Sequence, residues 1–273
     1  MLLKKEFGPV IRFKMARTFF GKPWYFTTAW YYDGLLIDTG CVRTAKELLT
    51  AVRALPIQEV VCTHSHEDHF GGAAALKQQR GLSIKAHAKA LPIMADPPAI
   101  KLFQKVFWGK AKPVEGEPLS STLTVNDKHF EIIETPGHSI DHIVLFERET
   151  GFAFTGDLVV GGLDRALRAD FNIWGILDSL KRIQDLELQT IFSASGRVIQ
   201  DPQNVLNEHI TAIEAQATRV QQEYENGQSV KDIAKRIKRE AKERGRSLAW
   251  VERISRGYMS SENLVRSFLK LSP

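Results

Sequence analysis

The chain is poor in cysteine. Cys41 and Cys62 are the only two thiols among 273 residues, too few for a disulfide framework, so a reducing, cytoplasmic setting is expected. It also lacks long hydrophobic runs. Nothing approaches the ~18–20 consecutive apolar residues that span a bilayer, so no membrane partner is expected. The opening stretch Met1-Leu2-Leu3-Lys4-Lys5-Glu6 has no apolar segment followed by a cleavage site, as a secretory signal would have. There is no phosphate loop, because Gly21-Lys22 and Gly109-Lys110 lack the upstream glycine and the following Ser or Thr. A zincin helix is excluded as well: His66-Glu67 would need a histidine where Phe70 stands. No repeat of fixed period is present. What remains is 43% hydrophobic and 25% charged, the composition of an ordinary globular chain long enough to bury a real core.

Charge is distributed unevenly. Residues 228–273 hold twelve Lys or Arg against five Asp or Glu, a net of +7, while the remainder is near neutral at −2. The overall +5 is therefore a property of the C-terminal stretch. A division into a main domain, 1–227, and a basic helical segment, 228–273, follows. A basic segment of this kind makes nucleic acid a candidate partner, although a Lys- and Arg-rich helix face is usually a solvated surface. The basic residues are not interleaved with aromatics as in a single-strand platform.

Hydrophobic patterning predicts strands over residues 8–40, with a two-residue hairpin turn at Asp33-Gly34. It predicts helices over 45–55 and 73–80, and short strands over 59–63 and 83–87. Residues 90–118 carry five prolines and read as irregular. Their Phe103, Phe107 and Trp108 either cover a cleft or belong to a surface helix that buries its apolar side. Strands resume over 123–125, 130–134, 143–146 and 152–155, then a helix over 174–186, a strand over 190–192 and a long helix over 204–224. The basic tail predicts two more helices, the second capped at Ser260-Ser261. Strand-rich and helical stretches alternate in two halves, which suits an α/β layering of two facing sheets with helices outside.

One run stands out: Thr63-His64-Ser65-His66-Glu67-Asp68-His69. Residues two apart on an extended chain point the same way, so His64 and His66 can reach one ion together. Asp68 and His69 lie further on, where Gly71-Gly72 turns the chain into a helix, and can face a second ion. Imidazole nitrogen and carboxylate oxygen are ligands that zinc and similar divalent ions take. Two further candidates sit just beyond strands: His138 in Pro136-Gly137-His138-Ser139, and Asp157 in Thr155-Gly156-Asp157. A carboxylate can bridge two cations, which suits Asp157. His142 can line a cleft, whereas His87 and His129 read as surface residues and His209 as a helix-face residue.

Together with Ile37-Asp38-Thr39-Gly40, these motifs resemble those of the metallo-β-lactamase fold superfamily, in family order and over roughly residues 8 to 215. The stretch from Phe107-Trp108-Gly109 to Leu119 and the tail segment Ser261-Glu262-Asn263-Leu264 resemble its broad hydrolase branch. That branch includes glyoxalase II-like thioesterases, lactonases and some nucleases. The resemblance implies a four-layer αβ/βα sandwich with a small helical C-terminal appendage. It implies one or two divalent ions, zinc before iron or manganese. His64, His66 and His138 would hold the first, Asp68 and His69 the second, and Asp157 would bridge them, with Asp38 a structural carboxylate behind the ligands. One position departs from the family: where a Pro-Gly-His-Gly histidine is expected, this chain has Ser195. A serine hydroxyl is a poor zinc ligand, so the second ion is expected to bind weakly, to be absent, or to take a substitute in that place.

These residues point to a hydrolase that uses a metal-activated water on an ester, thioester or lactone of small-molecule size. If the second site is empty, Asp68 would be free to orient the water or act as general base. Tyr25, His142, Arg165 and Trp174 are candidates for the substrate rim. The competing readings are a nuclease or phosphodiesterase acting on RNA or DNA, and a catalytically degenerate metal-binding or regulatory protein.

Overall fold

The short apolar runs flanking the histidine cluster become strands buried on both faces, as a parallel arrangement requires. The computed structural model describes residues 1–160, 167–245 and 248–272, apart from the side chains of Trp250 and Val251. A seven-stranded sheet runs in chain order: β1 (Leu2–Phe7), β2 (Val10–Phe19), β3 (Lys22–Tyr32), β4 (Leu35–Ile37), β5 (Glu59–Cys62), β6 (Ile84–Ala86) and β7 (Glu117–Pro118). The first four strands pair antiparallel, and β4 to β7 pair parallel. The turn at Asp33-Gly34 forms as expected, with both residues at positive φ (42° and 90°). β1 is an element the sequence reading did not foresee. It is an edge strand whose central four residues are exposed, so it carries no apolar alternation to read.

A six-stranded sheet holds β8 (Thr122–Val125), β9 (Lys128–Glu134), β10 (Ile143–Glu147) and β11 (Phe152–Phe154), followed by β13 (Thr190–Phe192) and β14 (Val198–Ile199). Its order is β14-β13-β11-β10-β9-β8. The two sheets share a core. Alternation sends Leu35, Ile37 and Val61 into it, where they meet Leu145, Phe154 and Phe192. Leu36, Val60 and Cys62 point the other way, toward Leu48 of α1 (Ala45–Ala51) and Leu76 of α2 (Ala73–Arg80). Phe154 and Phe192 stack with ring centroids 5.0 Å apart. Each such fully buried side chain contributes about 1.5–3 kcal/mol relative to exposure.

The proline-rich stretch is less irregular than expected. It contains α3 (Leu91–Ala95) and α4 (Leu102–Phe107), helices too short for a hydrophobic period to show.

The chain forms two compact units that do not follow linear order. The first comprises Met1–Thr135, Ile140–Val160 and Glu187–Pro202, and holds both sheets. The second comprises Pro136–Ser139, Gly161–Leu186 and Gln203–Pro273. Within it lie α5 (Ile173–Gln184), nearly all of α6 (Pro202–Glu225), α7 (Val230–Glu243), α8 (Leu248–Ser255) and α9 (Ser261–Phe268), and β12 (Leu167–Arg168) pairs with β15 (Met259–Ser260). Ser229 and Ser260 cap α7 and α9 by accepting from the amides of Asp232 and Asn263. The basic tail is tied to α6 by ion pairs: Arg236 to Glu223 at 2.8 Å and Arg219 to Glu240 at 2.9 Å. Arg236 and Lys238 also pair within the tail, with Glu240 and Glu252. Arg236 and Lys238 are thus engaged by carboxylates inside the second unit, while the tail's net charge is unchanged.

Candidate metal centre

Parallel pairing sets the first part of the site. Ile37 of β4 lies beside Val61 of β5, so the residues leaving the two strands, Asp38 and Thr63, emerge at the same edge, where α/β sheets place ligands. Asp38 takes a left-handed backbone, φ 59°. Its Oδ1 accepts from the Thr63 amide at 2.8 Å and from the Thr63 hydroxyl at 3.0 Å. Its Oδ2 meets Nδ1 of His69 at 2.8 Å. With His69 Nδ1 engaged by a carboxylate, Nε2 is turned toward Asp157 Oδ1 at 3.6 Å and Asp68 Oδ2 at 3.9 Å. Asp38 thus holds an imidazole in place rather than facing a ligand itself.

His64 and His66 come together, in a bend just past β5 rather than on an extended strand. Nε2 of His64 lies 2.9 Å from Nδ1 of His66. His64 also lies close to His69, ring centroids 4.0 Å apart. His64, His69 and Asp157 each offer a ligand atom, all within 4.8 Å of one another. Asp157 arrives at the end of β11 through Gly156, whose φ is 47°. A Cβ there would sit 2.7 Å from Nε2 of His142 and 2.9 Å from the Thr63 hydroxyl, so this position takes glycine.

His142 is buried. Its Nε2 accepts from the Asp157 amide at 3.0 Å, and its Nδ1 lies 2.8 Å from the Thr135 hydroxyl. Burial pushes its pKa down to about 4. A neutral imidazole in this tautomer fixes Asp157 from behind.

The donor set fits a divalent ion: imidazoles and carboxylates crowd together out of water, where unpaired charge is costly. Burial pushes the Asp68 carboxyl up to about 7; His69 opposes this, and Asp157 and Glu67 add to it. Burial would lower the pKa of His69, but Asp38, then Asp157 and Asp68, hold it well above the usual histidine range. Such shifts, on groups that also converge in space, mark a candidate functional site.

An aromatic rim borders Asp68. Tyr25 is the extra residue of a bulge where the β2–β3 register slips at Ala16/Arg17. Its φ is 46°, rare for an aromatic residue. The residue is 53% exposed, yet its hydroxyl donates to Asp68 Oδ2 at 3.3 Å. Trp108 packs edge-on against Tyr25 at 5.0 Å, and Phe107 stacks on Trp24 at 5.7 Å. Behind them Gln104 of α4 donates to the buried carboxylate of Glu67.

Other expected residues lie as follows. His138 is in the second unit, buried, its ring 4.4 Å from that of Phe171. The Ser195 hydroxyl lies 3.1 Å from that of Ser193, whose own hydroxyl donates to the Val159 carbonyl. Trp174 lies on the first turn of α5. Arg165 falls outside the described residues. His87 is near Glu134 at 3.4 Å, His129 near the Thr124 hydroxyl at 3.1 Å, and His209 lies on α6. The sequence reading missed Asp141, which accepts from the Ser65 amide at 2.7 Å and pins the histidine loop. Its signal was an acidic residue in the loop just before β10.

A sequence profile described as the metallo-β-lactamase superfamily matches residues 23–195. The chain belongs to that superfamily. Among solved structures, a metallo-β-lactamase family protein of Thermus thermophilus superposes with a TM-score of 0.72 at 16% identity, over 97% of this chain and 94% of the other. A metallo-β-lactamase from Pontibacter korlensis gives 0.63 at 20% identity, over 78% and 99%. These likenesses establish the metallo-β-lactamase fold, in the α/β class. Relatives by sequence include the probable metallo-hydrolase YqjP of Bacillus subtilis, 25% identical over 63% of this chain and 66% of that protein. The hydroxyacylglutathione hydrolase GloC of Haemophilus influenzae is 34% identical over 49% and 65%. An atrochrysone carboxyl ACP thioesterase of Aspergillus fumigatus is 28% identical over 65% of this chain and 38% of its own length. The chain thus spans less than two thirds of the length of each of these relatives. Among the described residues no helix is long and apolar enough to cross a membrane.

Proposed function

We propose that this member of the metallo-β-lactamase superfamily is a metal-dependent hydrolase of small acyl compounds, and that its substrate is a thioester in preference to an ester or lactone. The observation that carries the reading is the convergence of His64, His69 and Asp157 within 4.8 Å, with His66 against His64 at 2.9 Å. The names of GloC and of the ACP thioesterase favour the thioester.

In this reading His64, His66 and His138 would hold one divalent ion, His138 being included for its Pro-Gly-His-Ser motif; Asp68 and His69 would serve a second, and Asp157 is a carboxylate suited to both. A bound ion of this kind lowers the pKa of water from 15.7 to about 7 and stabilises a developing oxyanion, and zinc suits the donor set. The chain's own residues do the rest. Asp38 fixes the His69 ring, and His142 fixes the Asp157 backbone. If the second position is empty, Asp68 is free to orient the attacking water or take its proton at Oδ2, the oxygen that Tyr25 steadies. The aromatic rim of Tyr25 and Trp108 excludes water from that oxygen. The engagement of Arg236 and Lys238 by carboxylates leaves fewer tail cations for phosphates and favours this reading over one in which the tail binds RNA or DNA.

The test is His66→Ala, assayed against thioesters, esters, lactones and a labelled RNA, with elemental analysis of bound metal. Loss of thioester turnover together with loss of metal supports the proposal. Undiminished turnover in that variant, or RNA cleavage alone, overturns it.

A further inference from the structure

Two stretches of the first unit carry cations and no acid. Residues 7–32 hold Arg12, Lys14, Arg17 and Lys22, and residues 97–114 hold Lys101, Lys105, Lys110 and Lys112, with no Asp or Glu in either. The fold joins the two. Near the tip of the β2–β3 hairpin, Trp24 stacks on Phe107 of α4 at 5.7 Å. Arg17 donates to the Val106 carbonyl at 2.5 Å, and its guanidinium lies 4.2 Å from the centre of the Phe19 ring. Among the described residues none of Arg17, Lys22 and Lys105 has a carboxylate partner.

Apolar side chains reach solvent around this junction. Phe20 is fully exposed, Leu102 is 68% exposed, and Trp24 and Val106 are exposed as well. Leu102 and Val106 lie four apart, on one side of α4, while Phe103 and Gln104 turn toward Trp108 and Glu67. Phe20 and Gly21 form the two-residue turn between the paired Phe19 and Lys22, with φ of 48° and 75°. A turn of this hand takes Asn, Asp or Gly at its first position. An aromatic residue there is strained, and this ring is left in water. Neither backbone preference nor burial accounts for Phe20, which points to a role outside the folded chain.

Charge decides what could cover this face. A second copy packed on it by a two-fold axis would set these cations against their own kind, which is costly. A protruding ring flanked by lysines suits an anionic bilayer: aromatic side chains settle at the headgroup level, and cations gain from the lipid phosphates. The lack of a long apolar run bears on spanning a membrane, not on resting against one.

We propose that the β2–β3 turn and α4 rest on an anionic lipid surface, with the Phe20 ring at the headgroup–acyl boundary and Lys22 and Lys105 on lipid phosphates. The face runs on into the rim beside Asp68, because Tyr25 follows Trp24 and Trp108 follows Phe107. The proposal goes beyond the hydrolase reading and does not depend on it.

The test is co-sedimentation of the full chain with vesicles of phosphatidylcholine alone, and of phosphatidylcholine with about a quarter phosphatidylglycerol. Binding is expected to the second and not the first, and to fall with added salt. Phe20→Asn should weaken it by about tenfold or more, and so should Lys22→Gln combined with Lys105→Gln. Asparagine suits the turn, so the melting temperature of Phe20→Asn should hold or rise, and lost binding there is not lost folding. Turnover of a water-soluble thioester should stay unchanged in these variants. No binding to anionic vesicles, or wild-type binding by Phe20→Asn, overturns the proposal. A dimer in solution that Phe20→Asn abolishes, without vesicle binding, also overturns it and assigns the face to a second copy. Because sedimentation reads no turnover, failure of the hydrolase reading shows in the His66→Ala assay alone.

Discussion

The hydroxyl of Tyr25 reaches Oδ2 of Asp68 across 3.3 Å, from a residue 43 positions earlier in the chain. It does so because the bulge in β3 turns one aromatic residue out of register. An aromatic residue at φ 46° is a local cost that the surrounding sheet must impose. Tyr25→Phe keeps the ring and its contact with Trp108 and removes only the hydroxyl. Turnover is expected to fall by about 10- to 150-fold, since a hydrogen bond to a charged group contributes about 1.5–3 kcal/mol. The folded state should lose little, which thermal melting beside steady-state kinetics would show. Unchanged kcat/KM would remove Tyr25 from the site.

Asp38 accepts from Thr63 and pairs with His69 at 2.8 Å. Asp38→Asn keeps the size but removes the charge that orients the imidazole. Changes behind a metal ligand typically cost about 10–100-fold in metal affinity. Competition against a fluorescent chelator should show a loss in that range, and thermal melting should show destabilisation, because a buried polar pair is broken.

The stability of the metal-stripped chain should fall as pH rises toward 8. The Asp68 carboxyl is raised from 3.8 to about 7, so the folded state holds a proton the unfolded chain has released, and stability declines between those values. His69, raised well above 6.5, extends the decline upward from 6.5. His142, lowered from 6.5 to about 4, acts in the opposite sense and raises stability between 4 and 6.5, so the net decline is clearest above 6.5. Metal binding reverses the trend, because ligands must be deprotonated. Melting temperatures between pH 6 and 8, with chelator and with added zinc, check both signs.

Ser195 stands where the resemblance implies a histidine, and its hydroxyl lies beside that of Ser193 at 3.1 Å. Ser195→His restores an imidazole donor. Bound metal, measured by elemental analysis after dialysis, is expected to rise by up to one ion per chain. No gain would mean that the second position is already complete or lacks room for the ring.

Much of the site could be read from the chain because its parts are local. His64 and His66 sit two apart just past the end of β5, and residue type alone makes them candidate ligands. The buried strands Leu35–Ile37 and Glu59–Cys62 announce themselves as apolar runs. β1 was missed because its solvated residues give no alternation, and α3 and α4 because five and six residues are too few for a helical period. Asp141, Gln104 and Thr63 looked like ordinary polar residues until the loops were folded together.

The sequence by itself determined the chemistry: which atoms can hold a cation, which runs must be buried, and where the chain turns at Asp33-Gly34. Tertiary structure alone decided which polar groups meet. Asp38 supports His69, Asp141 pins Ser65, and Trp174 bonds to the carbonyl of Phe268 across 94 residues. Residue type and local spacing follow from covalent neighbours. Contacts between distant segments depend on how sheets register and loops close, and no short stretch of sequence records that.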